Sequence, residues 1–327
     1  MRAIVITKPG GPEVLEEQSR PLPEPGGGQI RVHVRASALN RADLMQRRGS
    51  YPAPPGVPPD IPGMEYAGEV DALGPGTSLW SAGSRVMGII GGGAHADYLC
   101  VHEREAMPVP VNLSWEEAAA IPEVFLTAYD ALFRQVDMRP GERLLIHAIG
   151  SGVGTAALQL AVVAGITVLG TSRSPAKLAK ARELGLTIGI DTSRDDWLVQ
   201  IAQVTDDEGV NAVLDLVGGN FLAGNITVLA QRGRLVLVGL TAGARAELNL
   251  AAVLAKRLHI VGTVLRARPL EEKITLAREF SGRVIPLFES GRLRPIIDRV
   301  FSFAEIGAAH DLMESNATFG KIVLHWD

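Results

Sequence analysis

Three glycines, Gly150, Gly152 and Gly154, alternate within "LLIHAIGSGVGTAALQLA", residues 144–161. Between a strand and a helix, glycines at this spacing let backbone N–H groups approach a pyrophosphate, and the helix N-terminus adds its dipole. The same glycines also serve a strand-to-helix turn that needs positive φ and holds no ligand. The usual dinucleotide fingerprint wants a third glycine at position 155, where this chain has Thr155. The loop alone leaves both readings open. Its candidate phosphate contacts are Gly150, Ser151, Gly152 and Val153.

The following strand bears on the choice of cofactor. An NADH site places an acid about 20 residues further on, against the ribose 2′-OH. No Asp or Glu occurs between Thr155 and Arg182. The strand ends instead in "GTSRSPAK", where Ser172, Arg173, Ser174 and Lys177 offer hydroxyls, two cations and a helix start. That set suits a 2′-phosphate, so NADPH is the expected cofactor. The bland alternative is a solvated helix start with Lys177 in water, and the missing acid counts against it. Thr192, closing the third strand, joins the candidate contacts.

These residues need a frame to hold them. "ERLLIHA", "ITVLGT", "TIGIDT", "VNAVLDLVGG", "GRLVLVGL" and "HIVGTVL" read as six short apolar strands separated by helices or turns. The pattern predicts an α/β fold with a doubly wound parallel six-stranded Rossmann sheet. Ligands bind at the carboxyl ends of such strands, which puts Gly239 and Leu240 by the nicotinamide ribose and Leu265 by the carboxamide. His147 and Cys100 read as core or strand packing. Arg266 and Arg268 read as cleft lining or a solvated loop.

Before residue 63 the texture differs. Dense prolines ("PLPEPGGGQ", "YPAPPGVPPDIPG") and the alternating "QIRVHVRASAL" describe short strands and irregular loops. With 327 residues, the chain suits one large domain or two ordinary ones. Its 46% hydrophobic and 21% charged residues exclude a disordered chain. A net charge of −4 without a basic stripe argues against nucleic acid as a partner. The single cysteine excludes an intrachain disulfide and a cysteine zinc cluster. The start "MRAIVITKPGG" reads as a strand rather than a signal peptide, and no apolar run reaches membrane-span length. The expectation is a soluble cytoplasmic protein that does not engage a membrane.

"SALNRADLMQRRGSY", "PGMEYAGEV", "AGSRVMG" and the ending "FGKIVL" resemble the medium-chain dehydrogenase/reductase superfamily, over essentially the whole chain. Within it, "ASALNRADLMQRRG" and "AAAIPEVFLTAYDAL" are similar to the zinc-free quinone oxidoreductases, most of all the p53-inducible type. The resemblance implies a chaperonin-10-like, mostly-β catalytic domain (1–122 with 269–327) and an NADPH-binding Rossmann domain (123–268). It implies that Asn40 and Tyr51 lie by the nicotinamide and substrate. Thr127, Asn316 and Lys321 would lie near the cofactor, although surface solvation is an equal reading for the last two. Asn40 also reads as a cap for "RADLMQRRG", and Tyr51 as loop packing. A homodimer pairing the edge strand "HIVGTVL" is implied as well.

Zinc-dependent members bind the metal at positions matching Asn40, Met64 and Glu123. An amide, a thioether and one carboxylate do not make a Zn²⁺ site. Glu65 keeps the family's acid, with a structural role expected. Without a Lewis acid, the acceptor must take hydride readily, as quinones and conjugated alkenes do. The implied function is metal-free reduction of quinones by NADPH in the interdomain cleft. The alternatives are an NADPH-dependent reductase of enones or enoyl thioesters, and an NADPH-binding protein without catalysis.

Overall fold

The structure, a computed structural model, describes residues 1–194 and 196–326. The chain forms two units, Met1–Leu126 with Leu265–Asp327, and Thr127–Val264. Seven strands come first: β1 (Arg2–Ile6), β2 (Leu15–Ser19), β3 (Gln29–Ala38), β4 (Glu65–Leu73), β5 (Arg85–Ile89), β6 (Tyr98–His102) and β7 (Met107–Pro108). The second unit holds β8 (Arg143–Ile146), β9 (Thr167–Ser172), β10 (Ile188–Asp191), β11 (Val210–Asp215), β12 (Leu229–Leu237) and β13 (His259–Gly262). The chain then returns to the first unit for β14 (Ile297–Ser302) and β15 (Lys321–His325).

In the first unit, β3 carries the alternation that its sequence announces. Ile30, Val32, Val34 and Ala36 are fully buried, and the residues between them are partly open. Its sheet runs β14-β15-β3-β4-β5-β7, with β6 also on β3. β15 is antiparallel to β3 and pairs Val323 with Ala38, so the end of β3 and the start of β15 come together. Trp326 closes this core. Its ring stacks on Phe303 at 4.7 Å, and its indole N–H donates to Ser37 Oγ at 2.9 Å.

The second unit is a parallel sheet in the order β10-β9-β8-β11-β12-β13. The order reverses between β8 and β11, which is the switch point where open α/β sheets bind ligands. Leu145, Leu169, Val213 and Leu235 are fully buried because helices cover both faces of a sheet of this type. β13 forms one edge, with His259, Ile260 and Gly262 exposed. The helix Gly152–Val163 starts on Ser151, and Gly165 at φ +73° follows it. Helix Pro175–Glu183 has Ser174 as its N-cap and Pro175 as its first residue.

The boundaries between units fall a few residues from 122/123 and 268/269, the positions expected from sequence. The first lies inside helix Pro122–Tyr129. Phe125 meets Phe288 edge-on at 4.8 Å, which ties the first turn of that helix to the first unit.

Candidate active site

In the first unit, four elements bring charged groups to one buried point. Lys321, at the start of β15, is 4% exposed. Its ammonium donates to Glu65 Oε1 at 2.7 Å, to Asn40 Oδ1 at 2.8 Å and to the carbonyl of Leu39. A lysine can only donate, so Asn40 must turn Oδ1 toward it. Asn40 Nδ2 then faces Glu65 Oε1 at 2.9 Å and the Ala38 carbonyl at 3.4 Å. The amide of Asn40, which the resemblance places by the nicotinamide and substrate, thereby spends its donors within the protein. Asn40 is also the N-cap of helix Arg41–Arg47, where its backbone N–H donates to Asp43 Oδ2 at 2.7 Å. Asp43 Oδ1 accepts the Gly63 N–H at 3.0 Å. Gly63 has φ +97°, and a Cβ there would lie 2.6 Å from His95 atoms, so the approach requires glycine. Glu65 Oε2 accepts the Glu123 N–H at 2.7 Å from the first turn of helix Pro122–Tyr129.

Burial pushes the Asp43 and Glu65 carboxyls above the ordinary range, and the Lys321 charge opposes it at both. Burial and then the neighbouring Glu65 charge push Glu123 up to about 8. Asn40, Asp43, Glu65 and Lys321 are all buried, whereas Glu123 keeps part of its surface open. Tyr51 is also partly open, and the Arg266 guanidinium stacks over its ring at 4.7 Å. Arg266 is far from a solvated loop residue. It donates to the Gly91 carbonyl at 2.6 Å and to Gln46 Oε1 at 2.7 Å.

The donor set can be tested against zinc. Met64 is a buried thioether, and among the described residues no group of three or more His, Cys, Asp or Glu is placed to hold a metal ion. Asn40 and Glu65 already surround an ammonium. These residues do not fit Zn²⁺, which takes Cys, His or carboxylate ligands in a tetrahedral set.

In the second unit, Ser151 Oγ accepts the Gly154 N–H at 3.0 Å, and Ala148 takes φ +49° just before the loop. A Cβ on Gly154 would lie 2.6 Å from the Ala148 carbonyl, so this glycine is fixed by close packing. The first-turn N–H groups of Gly152 and Val153 have no intrahelical acceptor. Thr155, at the position of the missing glycine, is buried, and its hydroxyl donates to the Gly152 carbonyl at 3.0 Å. Ser172 Oγ accepts the Ser174 N–H at 3.0 Å, and the Thr192 N–H reaches the Ser172 carbonyl at 3.0 Å. Those three therefore sit together. Arg173 is exposed and makes no ion pair among the described residues. Lys177 starts the adjoining helix.

Gly239 lies where a Cβ would come 2.5 Å from the Leu216 carbonyl, whereas Leu240 is 54% exposed. Thr127 is buried, and its Oγ1 has no hydrogen-bond partner. An orphaned hydroxyl, free helix-start amides and an unpaired arginine fit a phosphorylated dinucleotide. His147 is fully buried behind them. Asn225 gives Nδ2 to Asp215 Oδ2 at 2.9 Å, so its Oδ1 accepts from His147 Nε2 at 2.6 Å. Nδ1 then accepts the Thr171 hydroxyl at 2.9 Å, and burial keeps the ring neutral. This network joins the carboxyl ends of β8, β9 and β11.

Asn40, Tyr51, Leu265 and Asn316 thus belong to one unit, and the remaining expected contacts to the other. Leu265 is buried; Asn316, at φ +56°, is exposed and accepts from Arg41 at 2.6 Å. Sequence reasoning missed Asp43 and the burial of Lys321. A lysine opening the apolar run "KIVLH" and an acid three residues after Asn40 in "NRADLMQRRG" were the available signals.

Comparison with known proteins matches residues 26–111 to the alcohol dehydrogenase GroES-like domain and residues 152–281 to the zinc-binding dehydrogenase family. The Pseudomonas aeruginosa quinone oxidoreductase is 34% identical, covering 96% of each chain. The mouse synaptic vesicle membrane protein VAT-1 homolog is also 34% identical, over 99% of this chain and 83% of its own. Escherichia coli quinone oxidoreductase, solved with NADPH, superposes with a TM-score of 0.90 at 29% identity, over 100% of both chains. The JamJ enoyl reductase gives 0.90 at 26% identity, over 99% of this chain and 98% of its own. An NAD-dependent alcohol dehydrogenase gives 0.89 at 32% identity, over 100% of both.

The buried cluster makes a stability prediction. Lys321→Met strands the Glu65 carboxylate and costs about 3–5 kcal/mol in urea denaturation. Adding Glu65→Gln recovers part of that loss. A single variant as stable as the parent rules out the ion pair described here.

Proposed function

The chain belongs to the medium-chain dehydrogenase/reductase superfamily, among its quinone oxidoreductase-like members, and from that premise we propose that it reduces quinones with NADPH and without a metal ion. One observation carries the metal-free reading: the cation among Asn40, Glu65 and Leu39 is the Lys321 ammonium. An acceptor that needs a Lewis acid is then a poor substrate, and one with a low-lying acceptor orbital is a good one. Quinones meet that requirement.

NADPH is the cofactor. The E. coli enzyme that shares this fold is solved with it. The fold also serves an NAD-dependent enzyme, so the preference rests on the end of β9. There Ser172, Arg173, Ser174 and Lys177 suit a 2′-phosphate, and no Asp or Glu lies between Thr155 and Arg182, where an acid that binds a 2′-hydroxyl is placed. Bound NADPH supplies hydride. The Gly150–Val153 amides hold its pyrophosphate, and Thr127 Oγ1 is available to its nicotinamide end. Tyr51, held under Arg266, orients the substrate ring. Asn40 acts by fixing Glu65 and Lys321.

Reduction of conjugated alkenes is the second reading, favoured by the likeness to the JamJ enoyl reductase. We place the protein in the cytoplasm, since a lone, half-buried Cys100 suits a reducing compartment. We further propose a homodimer built on β13. That strand is an open sheet edge, and Leu250, Leu254, Ile260 and Val264 are exposed on and around it.

Four measurements check these statements. NADPH oxidation with a naphthoquinone is expected to exceed that with a short enone at least ~10-fold, a difference of about 1.4 kcal/mol in the barrier. Zinc assayed on the same sample should be far below one per chain. Faster enone turnover selects the second reading, and zinc-dependent activity overturns the metal-free one. Arg173→Ala should raise KM for NADPH about tenfold, leave NADH nearly unchanged, and lose its effect as salt increases. The pair Leu254→Glu with Ile260→Lys should halve the mass seen by light scattering; an unchanged mass places the interface elsewhere.

A further inference from the structure

We infer that the Glu123 carboxyl is the catalytic acid that protonates the hydride-reduced substrate. The inference rests on the reductase function proposed above and names the proton source that it lacks.

Hydride delivered to one quinone oxygen forms an O–H bond, the two C=O π bonds rearrange into the aromatic ring, and the electron pair ends on the other oxygen as the hydroquinone monoanion. That oxyanion needs one proton. In the step inferred here, the Glu123 O–H bond breaks, the substrate O–H bond forms, and the Glu123 carboxylate is reprotonated from solvent. On an enone the same proton goes to the enolate left by hydride at the β-carbon.

Elimination within the cluster points to Glu123. Asn40 spends its amide donors on Glu65 and Ala38. The Lys321 ammonium has three acceptors and is buried. Asp43 is fully buried, and each of its oxygens takes a backbone N–H. Glu65 is fully buried and takes three donors, from Lys321, Asn40 and the Glu123 backbone. The Glu123 carboxyl differs on both counts. It has no hydrogen-bond partner among the described residues, and the residue is only partly buried.

Charged groups face it from four elements: Glu65 on β4, Lys321 on β15, Asp43 on helix Arg41–Arg47, and Arg266 in the segment after β13. Burial and the two acids favour its neutral form, and the two cations oppose them. The balance, about 8, keeps the proton on Glu123 at neutral pH. A phenolate-like oxygen with a pKa of about 10 then takes that proton downhill.

The test uses the full-length protein with whichever acceptor, quinone or enone, the parent turns over. The parent's preference thus judges the substrate reading, and the ratio of variant to parent judges Glu123. Glu123→Gln keeps the shape and removes the acid. It should lower kcat about 100-fold with little change in KM, and abolish the alkaline fall in kcat centred near 8. Glu123→Asp should recover at least ~10-fold of the loss, as a shorter acid can.

A second readout needs no turnover. The folded-state pKa of Glu123 is raised, so its contribution to stability is full below the ordinary carboxylate pKa and is lost as pH rises through about 8. Between pH 5 and 8, the parent should therefore lose stability relative to Glu123→Gln in urea denaturation. A Glu123→Gln variant that keeps kcat within threefold of the parent, or a stability gap that does not change with pH, overturns the inference.

Discussion

An ammonium cannot be buried alone. Removing its water costs several kcal/mol, which only well-placed acceptors offset. Lys321 meets that condition with a carboxylate, an amide oxygen and a backbone carbonyl. Each acceptor is constrained in return. Asn40 loses its freedom to flip, Glu65 is held as the cation's partner, and the end of β3 is fixed against the start of β15. The acid cluster is therefore an ordered set of charges, with one carboxyl left outside it.

The nucleotide unit uses the same principle around a buried acid. Asp215 accepts the N–H groups of Val217 and Gly218, and through Asn225 it sets the tautomer of His147. Thr171 completes the chain on β9. These bonds join three strands at the switch point, so the loop before helix Gly152–Val163 rises from a rigid base. Rigid backbone there matters because amide donors help an anion only where they are already aimed at it.

Much of this was legible in the sequence. The six apolar runs gave six strands, the central ones buried on both faces, and the crossovers between them gave a parallel sheet. Ser174 before Pro175 marked a helix start that the structure has. The fingerprint loop was harder, because Thr155 broke the pattern; its hydroxyl, bonded to the Gly152 carbonyl, shows how the turn accepts it. The charged cluster was not legible. Local periodicity reports which face of an element is apolar, and for Lys321, at the head of a strand, it left cofactor contact and surface solvation as equal readings. Its partners Asn40 and Glu65 are remote in sequence, so no local window joins them. Arg266 was ambiguous for the same reason, since Gln46 and Gly91 hold it from elsewhere in the chain.

The contact between Lys321 and Asn40 spans 281 residues of chain. Closing so long a loop has an entropic cost that neighbouring contacts do not bear, and non-local pairings slow folding. The acidic pocket is complete only where β15 is docked on β3. Until β15 docks, its carboxyls face one another without their counter-ion, and a partly folded chain is discouraged from adopting the finished geometry. The last strand acts as a latch on the buried charges, since Lys321 reaches Glu65 and Asn40 only from the start of β15.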